Sequence, residues 1–219
     1  MLIMNLKFNR ENFFKKKGLY NLKKFQNYFD KIILDFSIDN NFEINEISSL
    51  NIKRKNSLLF INEFKDFDYI GLNDVCIISD NETLKNFKEI KNFFLVNNLN
   101  HAYKLMINQL YFHDDSTDYL DDFEFINNSF ISKYSNIDNS SKIFPNCVIG
   151  KGVSIGKNCI IKANTVIKNS IIKNNVIIGE NTTIGSSGFG FDLKNMGANN
   201  ILPQIGIVFI DENSRIGSN

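Results

Sequence analysis

Residues 137–185 read IDNSSKIFPNCVIGKGVSIGKNCIIKANTVIKNSIIKNNVIIGENTTIG. Isoleucine recurs in one register at Ile137, Ile143, Ile149, Ile155, Ile161 and Ile167, then after one shortened step at Ile172, Ile178 and Ile184. A six-residue period fits neither a helical turn of about 3.6 residues nor the simple alternation of a strand. It is the repeat of a left-handed parallel β-helix, in which each hexad forms a flat face and three faces complete a coil. The isoleucines are expected to point inward and to stack from coil to coil. Gly150, Gly156, Gly179 and Gly185 follow them at the corners, where a residue without Cβ turns most cheaply. Asn158, Asn164, Asn175 and Asn181 fall in the same turns and tolerate left-handed backbone angles.

The whole chain has 219 residues, 43% of them hydrophobic and 22% charged, an ordinary balance for a soluble globular protein. Its net charge of +1 gives no electrostatic reason to expect nucleic acid or an anionic membrane surface. The run Lys15-Lys16-Lys17 reads as a solvated loop. No apolar stretch approaches the ~18 residues that span a bilayer, and no signal peptide is evident. Three cysteines, Cys76, Cys147 and Cys159, lack paired spacing and point to a reducing cytoplasm without zinc. Cys147 and Cys159 each precede a repeat isoleucine by two residues, a position that fills the coil interior.

Glycine divides the chain: only Gly18 and Gly71 precede residue 150. With the change of period, this predicts a small α/β domain over residues 1–120 and a β-helix over 121–219. In the first, Leu22–Phe29 carries apolar residues at helical spacing. Ser57–Ile61, Val75–Ile78 and Phe93–Val96 read as short buried strands. His101–Phe112 places Ala102, Leu105, Met106 and Leu110 on one helical stripe. His113–Asp122 is an acidic linker whose consecutive carboxylates lack metal-ligand spacing. Ser132–Asn136 leads into the coils, which break after Gly185 and resume at Ile210 and Ile216. Long excursions from a compact domain are usually functional, so the loop over residues 186–206 draws attention as a site.

Acyl transfer needs a base and oxyanion donors. Histidine is the usual base at neutral pH, but His101 and His113 both precede the repeat. No Ser-His-Asp set, Walker loop or HExxH motif can be assembled, and Gly188-Phe189-Gly190 is too short for a dinucleotide fingerprint.

The run IGENTTIGSSGFGF, then LPQIG, then IDENSRIGSN resembles the UDP-3-O-acylglucosamine N-acyltransferases of lipid A biosynthesis. More loosely, Phe13-Phe14-Lys15-Lys16-Lys17-Gly18 resembles an opening element of some members, and Ile44–Phe60 the segment that leads to their uridine-binding loop. Leu95–Leu105 resembles the start of a family helix. The resemblance implies a homotrimer of β-helical prisms that moves a 3-hydroxyacyl chain from acyl carrier protein to the 2-amine of UDP-3-O-acylglucosamine. The thioester of the carrier is the acyl donor, and no cofactor or metal is implied. It implies a uridine-nucleotide site at Phe60, Asn62 and Lys65, with Phe60 stacking on the base and Lys65 facing the diphosphate. The family's second aromatic falls on Asp66, flanked by Phe64 and Phe67. Gly188, Phe189, Gly190, Phe191 and Gln204 would shape the sugar or acyl pocket, with Ser187 where an Asp often stands. The general-base histidine lies in a later, IAHN-like hexad beyond Asn219, so this chain is expected to be an inactive N-terminal piece with no catalytic residue of its own. Other readings stay open. One is a different hexapeptide-repeat sugar acyltransferase, including the acetyltransferase half of a nucleotide-sugar enzyme; another is a non-catalytic trimeric scaffold. A metal-dependent β-helical hydratase would need histidines that the repeat lacks.

Overall fold

A computed structural model describes residues 10–18, 20–29, 31–49, 54–63, 74–86, 90–111, 122–188, 190–192 and 201–218. The chain forms two compact units. One comprises Lys16–Phe112 with Gly190–Pro203; the other comprises Met1–Lys15, His113–Phe189 and Gln204–Asn219.

The first unit opens with Tyr20–Asn21 (β1), Leu22–Phe29 (α1), Ile33–Ser37 (β2), Glu43–Ile44 (β3) and Glu46–Ile47 (β4). Ser57–Phe60 (β5), Val75–Ser79 (β6), Asn92–Val96 (β7) and Leu99–Leu110 (α2) follow. A five-stranded sheet runs in the order β2-β7-β6-β5-β4. Strands β4 to β7 are parallel, and β2 lies antiparallel on the β7 edge. Parallel strands are covered on both faces and therefore read as continuous apolar runs. Strand β6, VCIIS, is buried at every position. Leu22 and Phe25, one helical turn apart, are fully buried on α1. Helix α2 buries Ala102, Met106, Ile107 and Leu110. Leu105, expected on that stripe, is only half-buried, because the buried face is turned toward Ile107. Asn98 caps the helix, its side chain accepting from His101 N at 3.0 Å.

In the second unit, Phe123–Ile126 (β8) and Ser129–Ser132 (β9) form a hairpin. Its turn residues Asn127 and Asn128 both have positive φ, 49° and 59°, as a two-residue primed turn requires. The coils then run through Asn136–Ile137 (β10), Lys142–Ile143 (β11), Val148–Ile149 (β12), Ser154–Ile155 (β13), Ile160–Ile161 (β14) and Val166–Ile167 (β15). They continue through Ser170–Ile172 (β16), Ile177–Ile178 (β17), Thr183–Ile184 (β18), Val208–Ile210 (β19) and Arg215–Ile216 (β20). From β9 on, each strand pairs in parallel with the third strand after it, which makes three sheets and a three-faced β-helix. Ile137, Ile155, Ile172 and Ile210 align on one face. Ile143, Ile161, Ile178 and Ile216 align on the second. On the third, Ile131 stands below Ile149, Ile167 and Ile184, so the coils begin one hexad before Ile137. All twelve isoleucines pack in one apolar core with Cys147, Val153, Cys159 and Val176.

The corners obey two rules. Asparagine takes the left-handed angle at Asn146, Asn158, Asn164, Asn175, Asn181 and Asn213, with φ between 54° and 62°. Its amides stack into ladders, Asn158 Nδ2 donating to Asn175 Oδ1 at 3.4 Å and Asn164 Nδ2 to Asn181 Oδ1 at 3.1 Å. At four of these corners the next residue, Cys147, Cys159, Thr165 or Thr182, donates to a carbonyl one coil on, whereas Val176 after Asn175 is apolar. Cys147 Sγ meets Lys162 O at 3.2 Å, Cys159 Sγ meets Lys173 O at 3.0 Å, and Thr165 Oγ1 meets Gly179 O at 3.0 Å. The repeat glycines differ from the reading above. Gly150, Gly156 and Gly179 do not take positive φ, whereas Gly185 does, at 71°. Gly156 and Gly179 are needed for space: a Cβ would lie 2.5 Å from Asn174 Oδ1 at the first and 2.6 Å from the Gly217 carbonyl carbon at the second.

Candidate functional site

Two places in the fold collect the residues that the sequence singled out, one in each unit. The first is the carboxyl edge of the parallel sheet. Strand β5 buries Ser57, Leu58 and Leu59 and ends on Phe60, which is half-buried. Phe60 pairs in register with Ile78 of β6, and Ile61 N donates to Ile78 O at 3.0 Å. The ring therefore stands where strands β5 and β6 stop, the usual ligand edge of an open parallel sheet. Asn62 follows, exposed, its carbonyl accepting from Asn81 Nδ2 at 3.3 Å. Asn81 in turn receives its own turn from β6, its N–H donating to Ser79 Oγ at 3.1 Å. Lys65 lies outside the described residues, as do Phe64, Asp66 and Phe67.

Sequence reasoning missed one residue here. Tyr103, in the second turn of α2, meets Phe60 with ring centroids 5.1 Å apart and planes at 79°. The contact joins residues far apart in the chain, and Tyr103 falls on the flank of a stripe read as core.

The second place is the base of the excursion in the β-helix. Strand β18 ends at Ile184, and Gly185 turns out of the coil at φ 71°. Asn169 of the coil below holds that turn, its Nδ2 donating to Gly185 O at 3.1 Å. Gln204 closes the base: its Oε1 accepts from Gly188 N at 2.9 Å. A Cβ on Gly188 would lie 3.0 Å from the Gln204 amide nitrogen, so the approach is tight. Ile205 is then buried and the coil resumes at β19. In the other unit, Gly190 O accepts from Leu202 N at 2.9 Å and Phe191 forms an antiparallel bridge with Ile201, which makes a hairpin stub. Asp192 follows on that stub and is buried. Phe189 lies outside the described residues.

Nucleophiles and bases are placed as follows. Burial pushes the Cys76 thiol well above the ordinary range and the Cys147 thiol up, so both are packing groups rather than reactive thiolates. His101 sits half-buried at the start of α2, and His113 lies outside the described residues. Among the described residues no cluster of His, Cys, Asp and Glu has metal-ligand proximity, and no helix is long and apolar enough to cross a membrane. Residues 113–121 of the acidic linker lie outside the described residues.

These coils have a counterpart among known domains. Residues 125–201 match the family model of the GMPPB C-terminal domain. The match begins inside β8 and ends at Ile201, so it covers the coils from β9 to β18 and most of the excursion, but none of the parallel sheet. The likeness is to a hexapeptide-repeat β-helix of a transferase-like family. Comparison with curated proteins returns no match.

Proposed function

We propose that this chain carries the substrate-binding sheet and coils of a hexapeptide-repeat N-acyltransferase, one that moves a 3-hydroxyacyl chain from acyl carrier protein to the 2-amine of UDP-3-O-acylglucosamine. The supporting observation is the break in the β-helix: an unbroken three-faced coil opens at one corner, between Gly185 and Ile205, and is pinned at its base by Gln204. The ladders continue past it, β16 pairing with β19 and β17 with β20, so the excursion is an insertion at a corner, and loops carried on such a rigid scaffold are where function concentrates. The strict period of six residues per face is what supports reading the coil as left-handed. In this reading the sheet edge at Phe60 and Asn62 takes the uridine, and Lys65 faces the diphosphate. Phe60 offers a flat, half-exposed ring at a strand end, and Asn62 an amide that can both donate and accept.

A second reading, a β-helical domain of a nucleotide-sugar nucleotidyltransferase, is favoured by the match over residues 125–201. Calorimetry of the full chain with UDP-N-acetylglucosamine separates the two. The acyltransferase reading expects saturable binding in wild type and a loss of about tenfold or more in Phe60→Ala, the scale of one base–aromatic stack. Binding that ignores Phe60→Ala, or no binding at all, removes the uridine assignment.

A further inference from the structure

We infer that strand β8 is a self-association edge, on which a second copy of this chain lays its own β8 antiparallel across a twofold axis. One face of the β-helix stacks its strands in the order β18-β15-β12-β9-β8, so β8 is the last of them. The two-residue turn at Asn127-Asn128 sets the hydrogen bonding of the hairpin. Ile126 with Ser129, and Glu124 with Ile131, are its bonded pairs, whereas Phe125 and Phe130 stand opposite each other without exchanging bonds. Phe130 N accordingly turns away from β8 and donates to Cys147 O at 2.9 Å. Phe125 turns its N–H and C=O the other way, off the sheet, where neither has a partner among the described residues. Edge strands are commonly blunted by Lys, Pro or a bulge. Strand β8, FEFI, has no Lys or Pro, and it pairs with β9 without a register shift. Strand β2, at the edge of the parallel sheet, does carry such a shift, between Ile33 and Asp35.

The side chains point to the same occupant. Phe125 is 66% exposed and Phe130 53%, with their rings 5.2 Å apart. Phe144, 45% exposed, lies beside the hairpin turn, its carbonyl accepting from Ser129 Oγ at 3.0 Å. At about 200 Å² per ring, the three leave about 330 Å² of aromatic surface in water, the scale of the largest apolar patch on a typical monomer. The same area from a second copy stays below the ~1,200 Å² of a stable complex, so the pair is weak and depends on concentration. A second copy suits this edge because β8 complements itself in one register. With Phe125 opposite the same residue of the other copy, their outward N–H and C=O groups exchange hydrogen bonds, and Glu124 stands opposite Ile126. The rings of Phe130 and Phe125 then continue into those of the second copy along one outer face. Sliding the copies so that Phe125 meets Phe123 would set Glu124 against Glu124, and like charges directly opposite are unfavourable.

The test is sedimentation velocity on the full chain over a series from micromolar to near-millimolar concentration. The mass of the sedimenting species is expected to double as concentration rises, whatever its value at the dilute end. Phe125→Pro removes the outward N–H but no bond of the hairpin ladder, and Phe125→Lys places a charge on the edge. Each is expected to raise the midpoint of the doubling by about tenfold or more. Leu34→Lys, at an exposed position of β2, is expected to leave it unchanged. No doubling in wild type, or a doubling that survives both Phe125 substitutions, overturns the proposal. Should those variants fail to fold, wild type decides the matter through hydrogen exchange at the Phe125 amide. Protection that grows with concentration supports the pairing. Absent protection overturns it, and so does protection equal at every concentration, the mark of an edge covered by the chain's own residues.

Discussion

Ile160 and Ile161 are adjacent, identical in type and on the same strand, and the fold makes opposite claims about them. Ile161 is fully buried, stacked between Ile143 and Ile178 in the coil interior. Ile160 points outward, half-buried, between Lys142 and Ile177. Truncating Ile161 to alanine removes three carbons from the core, worth about 2.4 kcal/mol at about 0.8 kcal/mol per buried methylene. A cavity in a stacked interior relaxes poorly, which brings the expected loss to about 3–4 kcal/mol. Ile160→Ala gives up only part of that surface and is expected to cost about 1 kcal/mol or less. Because the two compact units need not unfold together, the assay must report on the β-helix alone. Hydrogen exchange resolved over residues 122–188, followed through a urea series, does this; Ile160 N, which donates to Val176 O at 2.9 Å, is one of its reporter amides. A larger loss at Ile160 than at Ile161 would refute the register, since a slip of one residue exchanges the two faces. Equal losses would refute the claim that the interior is close-packed.

Other consequences concern corners and charge. Gly185→Ala is expected to destabilise the β-helix by about 1–3 kcal/mol from its left-handed backbone alone, with a further cost as the new Cβ meets the Lys168 carbonyl. Gly206→Ala, where nothing lies within 4 Å, should leave thermal stability unchanged. The hydroxyl of Ser218, with the Lys162 ammonium, holds the Glu180 carboxyl down at about 2. A depressed acid stabilises above its ordinary value of 4.5, and that contribution is lost as pH falls from there toward about 2. Carbon-detected NMR titration of the Glu180 carboxyl should therefore give a midpoint near 2 in wild type and a higher one in Ser218→Ala; no rise would show that the hydroxyl is not the cause.

The coils were legible because their period is short, strict and unlike any other element. Twelve isoleucines in three columns leave only one register in which all of them face inward. The first rung was hidden, since the hexad at Ile131 follows a hairpin turn, Asn127-Asn128, instead of a repeat corner. The glycines misled for a related reason: both a left-handed angle and a tight approach select glycine, and sequence shows the residue without the cause. Helix α1 matched its expected bounds, Leu22–Phe29. The strands shifted by one residue at their ends, as terminal assignments commonly do. At the sheet edge, the apolar run Ser57–Ile61 marks a strand but not the residue that ends it, and Phe60 was singled out by the family resemblance. Its partner Tyr103 was not, because which helix flank faces a given strand end depends on the crossover, and no local pattern records that.

A crystal structure of the full chain with UDP-N-acetylglucosamine bound tests the central claim most directly. The account predicts the uracil stacked on Phe60, with Asn62 at its polar edge. A nucleotide bound on the coils, with Phe60 untouched, would contradict it.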